Sequence, residues 1–108
     1  MESAKRRAPA PVQPVVVDGI RYEALRDARR HGFAQDGGVI AVVDERTGEA
    51  LRLVPLYVTP YDGAEERDVQ EVHLKHLALD ADGRALRAID EHGRAWSVDL
   101  ATYAVTRA

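Results

Sequence analysis

Apolar and polar residues alternate with period two through most of the chain, and reversals carrying glycine cut the alternation into short runs. Val15-Val16-Val17 meets Asp18-Gly19 and is followed by Ile20-Arg21-Tyr22-Glu23-Ala24-Leu25. An Asp-Gly pair between apolar runs predicts a hairpin with a type I′ turn, which needs positive φ at both central residues. Leu25 to Arg30 has helical propensity but shows only Leu25 and Ala28 on its apolar face, so at most one or two helical turns are expected there. His31 to Gly38 reads as a loop. Val39-Ile40-Ala41-Val42-Val43 is a continuous run rich in β-branched residues, which predicts a central strand covered on both faces. Asp44 to Gly48 closes it, with Gly48 suited to the left-handed position of a bulged hairpin loop. The return strand runs from Leu51 to Thr59, and Pro55 within it marks a sheet edge or a bulge because it cannot donate to a ladder.

Tyr57 to Asp68 reads as a loop or one short helical turn. Val69 to Leu79 supports two readings. As a helix it carries the stripe Val69, Val72, His73, His76 and Leu77, but that stripe is poor in apolar side chains and leaves Leu74 off it. As a strand, a bulge near Lys75-His76 brings Val72, Leu74, Leu77 and Leu79 to one side; the strand is the favoured reading. Asp80 to Arg84 is a turn, Ala85 to Asp90 a strand, Glu91-His92-Gly93 a turn, and Arg94 to Leu100 a strand with Trp96, Val98 and Leu100 on one face. Tyr103 and Val105 extend a last short strand. The expected fold is therefore β-rich or all-β. It is a single domain of about five to seven short, mostly antiparallel strands, arranged as a meander, small barrel or sandwich, with at most one short helix.

Three of the five prolines and the basic run Lys5-Arg6-Arg7 fall in residues 1–14. That segment is expected to be a disordered, extended Pro/Ala-rich arm, with the β-rich domain spanning 15–108. The 108 residues carry 15 basic and 18 acidic side chains, a net charge of -3. This balance gives no general pull toward nucleic acid, and three charges in an arm bind phosphate weakly at physiological salt. There is no cysteine, which removes disulfides, thiolate catalysis and cysteine-based zinc sites. No apolar stretch approaches the length of a membrane span, and the segment after the basic run is no signal-peptide core. A cytoplasmic address is expected.

Gly38, Ile40, Val42-Val43-Asp44, Thr47-Gly48 and Leu51 together resemble a single blade motif of the quinoprotein-type β-propellers. The resemblance implies that the Asp and the Thr-Gly fix a hairpin loop. It spans residues 38–51 and departs at Arg52, where the motif usually has tryptophan. A propeller needs several blades, and no repeat at that period occurs, so the resemblance implies a shared hairpin and no quinone-binding role. The whole chain also resembles small bacterial proteins of unknown function that open with a hairpin of the Val17 to Tyr22 type, which implies no activity.

Catalytic chemistry finds little to work with. The two serines are Ser3, in the arm, and Ser97, in a strand facing opposite Trp96; no nucleophile elbow surrounds either. Gly37-Gly38 precedes a strand, whereas a phosphate-binding loop follows one and opens a helix. Asp80, Asp82 and Gly83 begin like a calcium loop, but Arg84 and Ala85 occupy positions that need an oxygen ligand and a glycine. Glu65, Glu66, Asp68 and Glu71 read as a solvated acidic face. His73 and His76, three apart, with His92 beside Asp90 and Glu91, make the sharpest metal candidate. The first two share a face on a helix but point apart on a regular strand. Trp96 is expected to anchor the core.

The apolar stretch Leu51, Leu53, Val54, Leu56 and Val58 is too dense for one buried face. With Tyr57 and Tyr61 flanking Thr59-Pro60, it makes Leu53, Leu56, Tyr57, Val58 and Tyr61 interface candidates. The function expected is a non-catalytic protein-binding or self-assembly module, with no cofactor, no membrane and no nucleic acid. The alternative is a small metal- or ligand-binding protein, enzymatic or not, that uses His73, His76 and His92.

Overall fold

A computed structural model of the chain describes residues 11–57 and 72–108. Asp18 and Gly19 adopt φ of 50° and 79°, the two positive values that a tight hairpin demands, and join β1 (Val15–Val17) to β2 (Ile20–Leu25). β2 pairs antiparallel with β3 (Val39–Asp44), which pairs antiparallel with β4 (Ala50–Pro55). Between β2 and β3 the short helical signal becomes one 3₁₀ turn, Ala28–His31, ended by Gly32 in the left-handed conformation. After residue 72 the chain forms β5 (Leu74–Leu79), β6 (Ala85–Asp90), β7 (Ala95–Asp99) and β8 (Val105–Arg107).

Two four-stranded antiparallel sheets result, in the orders β1-β2-β3-β4 and β5-β6-β7-β8. Each is a meander of chain neighbours. They share one core: Tyr22, Ile40, Val42, Val54 and Leu56 from the first side pack with Leu74, Leu77, Leu86, Ala88 and Val98 from the second. Burying each of the Val, Leu and Ile side chains among them supplies about 1.5–3 kcal/mol. Val39, Ala41 and Val43 lie on the opposite face of β3 from Ile40 and Val42 and are buried too, so the β-branched run is covered on both sides as its composition predicts.

The dense apolar stretch is divided among three environments. Val54 and Leu56 enter the core. Leu53 pairs with Ala41 on the other face. Leu51 is skipped where the ladder passes from Val42–Arg52 to Val43–Ala50, and this bulge leaves it 50% exposed. Residues 74–79 are a strand, and the ladder skips Lys75 at the expected bulge. The bulge puts Leu74 and Leu77 into the core, and Val72 is buried as well. Leu79, at the strand's end, is left 38% exposed. Of the segment 1–14 expected to be an arm, residues 1–10 lie outside the described residues, while Val12 packs against the core.

One device closes four of the reversals. Asp44, Asp80, Asp90 and Asp99 stand at or next to strand ends, and each turns one carboxylate oxygen back to accept two backbone N–H groups of its own turn. A short acidic side chain satisfies donors that the tight reversal leaves without a ladder partner. In the Asp44 loop, the Thr47 hydroxyl accepts the Glu49 N–H and Gly48 takes φ of 77°.

Candidate functional site

Asp90 is the one carboxylate among the described residues that is fully buried, and it organises the side of the molecule where β4 and β8 end their sheets. It lies on the inner face of β6, opposite Leu74. One oxygen caps the β6–β7 turn by accepting the His92 and Arg94 N–H groups at 2.9 and 3.0 Å. The other accepts Arg94 Nε at 2.7 Å and Trp96 Nε1 at 3.4 Å. Burial pushes the Asp90 pKa up, but the bonds from Arg94, Trp96 and His92 outweigh it and hold the carboxyl below its ordinary value.

The anchored Arg94 lies over two rings, with its guanidinium carbon 5.3 Å from the centre of Tyr57 and 5.8 Å from that of Trp96. Those rings meet at 5.4 Å with a 36° tilt. Arg107 on β8 is the direct cross-strand partner of Trp96, and its guanidinium carbon stands 5.1 Å over the indole. Trp96 is thus half-buried at the rim, between two cations, rather than in the centre of the core as its size predicted. Its face was legible from the alternation; its depth was not, because it sits one residue from the start of β7.

Tyr57 is placed by glycine. A Cβ on Gly38, whose φ is 78°, would come within 2.5 Å of the Tyr57 ring, and one on Gly37 would collide with the Val72 carbonyl. The Gly37-Gly38 pair therefore admits a ring and a neighbouring backbone at close range. The Tyr57 hydroxyl donates to the Val72 carbonyl at 2.7 Å. Buried Gln35 donates to the carbonyls of Gly37 and Tyr57 at 2.8 and 2.7 Å.

A third cation stands near the far end of the same side. Arg52 on β4 places its guanidinium carbon 4.9 Å from the ring of Tyr103, in the β7–β8 connection. Tyr103 holds a left-handed backbone, φ 63°, that is costly for an aromatic residue. Burial raises the pKa of neighbouring Tyr22, and Tyr103 adds to the effect. The β4 and β8 sides are thus joined by Tyr57–Trp96 and Arg52–Tyr103, with no strand ladder between them. Neither Arg52 nor Arg107 has a carboxylate partner among the described residues.

His76 is exposed on β5, His92 is exposed in the β6–β7 turn, and His73 is half-buried before β5. The His73 N–H donates to the Glu91 carboxylate at 3.0 Å. Among the described residues no group of three His, Cys, Asp or Glu side chains is placed to hold a metal ion. Of the interface candidates, Leu56 is spent on the core, Leu53 is half-buried, and Tyr57 belongs to the aromatic pair. Val58 and Tyr61 lie outside the described residues. Arg52, Arg94 and Arg107 were missed. The signal for Arg94 was available, since it follows a strand-final aspartate by four residues; Arg52 and Arg107 meet this side only through the packing of the two sheets.

No protein-family model matches this chain, and no curated protein matches it. Among the described residues no helix is long and apolar enough to cross a membrane.

Proposed function

We propose that this chain is a non-catalytic protein-binding module and that it receives its partner along the side where β4 and β8 lie. The supporting observation is a half-buried tryptophan packed among Tyr57, Arg94 and Arg107. Tryptophan, tyrosine and arginine are enriched among the few residues that dominate binding energy at protein interfaces. A side chain already fixed in place loses little entropy on contact. The pair of Arg94 with the buried Asp90 carboxylate serves as the fixed base of this surface, and Arg107 and Trp96 are its contact groups. A cytoplasmic address belongs to the same proposal.

The test compares the immobilised chain with its Trp96→Ala and Arg107→Ala variants in retaining proteins from a cell extract. Arg107 is exposed and takes no part in the core, so its replacement leaves folding intact. The proposal expects a protein retained by the native chain and lost by both variants. Identical retained sets for all three chains would refute it.

A further inference from the structure

Resting on that reading, we infer that the partner presents an extended acidic segment that adds to β8 as a further strand. In it a carboxylate faces Arg107, an apolar side chain faces Val105, and a second carboxylate points towards Arg52. Hydrogen-bond parity decides which edge accepts a strand. On β8, the Ala108 N–H donates to the Ala95 carbonyl and the Asp99 N–H donates to the Ala104 carbonyl, both at 2.9 Å. Residues 104, 106 and 108 therefore bond inward to β7. Val105 and Arg107, which alternate with them, turn their backbone N–H and C=O groups outward.

The β4 edge is built differently. Leu56 donates to the Gly38 carbonyl at 2.7 Å, so Val54 and Arg52 bond inward and Leu53 and Pro55 face outward. Pro55 has no N–H to offer, and the bulge at Leu51 interrupts the line. That edge rejects a new strand, whereas β8 offers an unbroken one.

Side chains set the chemistry of the incoming strand. Trp96 and Arg107 are a direct cross-strand pair, as are Val98 and Val105, so Arg107 and Val105 share the face that carries the indole. A residue of an added strand opposite Arg107 falls on that same face, within reach of a guanidinium that has no carboxylate among the described residues. Opposite Val105 the same face asks for an apolar group, since Val105 packs against the core. Two residues further lie Tyr103 and the guanidinium of Arg52. The preferred order is acid, any residue, apolar, any residue, acid. Backbone bonds to β8 supply affinity, and the two carboxylates supply register and sign.

The probe is a blocked peptide with the core order glutamate-threonine-valine-threonine-glutamate. One control exchanges the glutamates for lysines. Another moves them to the threonine positions, which keeps net charge and shifts them to the other face. The single tryptophan of the chain, Trp96, reports binding by its fluorescence, and amide exchange of Val105 and Arg107 reports the new ladder. The inference expects saturable binding of the first peptide, slowed exchange at both amides, and weakening with salt. It expects no response to the lysine peptide. Arg107→Gln should lower the affinity about tenfold, the scale of one charge-assisted hydrogen bond.

Equal binding of the face-shifted peptide, or fluorescence change without amide protection, would overturn the strand. Val105 and Arg107 amides that grow protected with protein concentration alone would put a second copy on β8 and overturn the acidic partner. Should extract proteins be lost with Arg107→Ala while the acidic peptide fails to bind, only the partner's chemistry falls. Should Arg107→Ala change neither result, the binding surface falls with it.

Discussion

Removing the Asp90 carboxylate tests the base of the binding surface and the stability of the second sheet together. Asp90→Ala deletes the side-chain oxygen that accepts two backbone N–H groups of the β6–β7 turn, and with it the carboxylate paired with Arg94. The turn bonds are worth about 1 kcal/mol each net, and the charge-assisted bond about 1.5–3 kcal/mol. The Arg94 side chain is 35% exposed, so its orphaned charge is partly rehydrated and the larger penalty of a sealed pair is discounted. The expected loss is about 2–4 kcal/mol in urea unfolding, or a fall in Tm of roughly 10–20 °C for a domain of this size. Asp90→Asn keeps an oxygen for the turn but sets an amide against Arg94, and should lose about 1–2 kcal/mol. A double-mutant cycle with Arg94→Gln isolates the pair. The pH dependence has a fixed sign. The folded carboxyl titrates below its ordinary 3.8, so the unfolded chain takes up the proton first as pH falls. The stability that Asp90 contributes is whole above that value and disappears as pH drops through the lower folded pKa. Asp90→Asn should flatten this acid limb. A loss below about 0.5 kcal/mol for Asp90→Ala, or an unchanged acid limb in Asp90→Asn, would refute the reasoning.

Three further outcomes follow from the packing. Gly38→Ala should destabilise the fold by about 2–4 kcal/mol and alter Trp96 emission, because a Cβ there displaces the Tyr57 ring and φ of 78° strains any other residue; an unchanged emission spectrum would contradict the stacked placement. Leu56→Ala should lose about 2–4 kcal/mol in urea unfolding, whereas Leu51→Ala, at the half-exposed bulge, should stay within about 0.5 kcal/mol; similar losses at the two positions would reject the division of this stretch. Leu86→Ala should lower stability by about 2–5 kcal/mol and broaden side-chain resonances of both sheets, since Leu86 is fully buried in the shared core; disturbance confined to β5–β8 would argue against one core.

Local chemistry explains what could be read in advance. Asp18-Gly19 requires two positive φ values and obtains them, and Val39 to Val43 could only be covered on both faces. The bulge at Lys75 followed from the spacing of Leu74 and Leu77, which a regular strand turns to opposite faces, together with the poor apolar content of the competing helical stripe. The site was far less legible. The alternation assigns Trp96 to the inner face but carries no information on distance from the rim, so its size suggested a core position. Asp90 sat beside His92, and the imidazole was the group singled out there as a metal candidate. The recurrence of Asp90 as a strand-terminal aspartate with Asp44, Asp80 and Asp99 was the better guide. Arg52 and Arg107 are 55 positions apart in the sequence and come to the same side only when two independently paired sheets close on each other, a fact that no local pattern encodes.

Among the described residues, every ladder joins strands that are consecutive in the order β1 to β8. During synthesis, each strand can therefore find its neighbour almost as soon as it emerges, without waiting for distant residues, which keeps the entropy of loop closure small for an all-β topology. The exception is the greasy inner side of β1–β4, complete as a ladder yet uncovered until translation has supplied β5, β6 and β7. The hazardous interval for this protein on the ribosome is that wait, and slowing elongation between the two meanders should lengthen its exposure to aggregation and to chaperones.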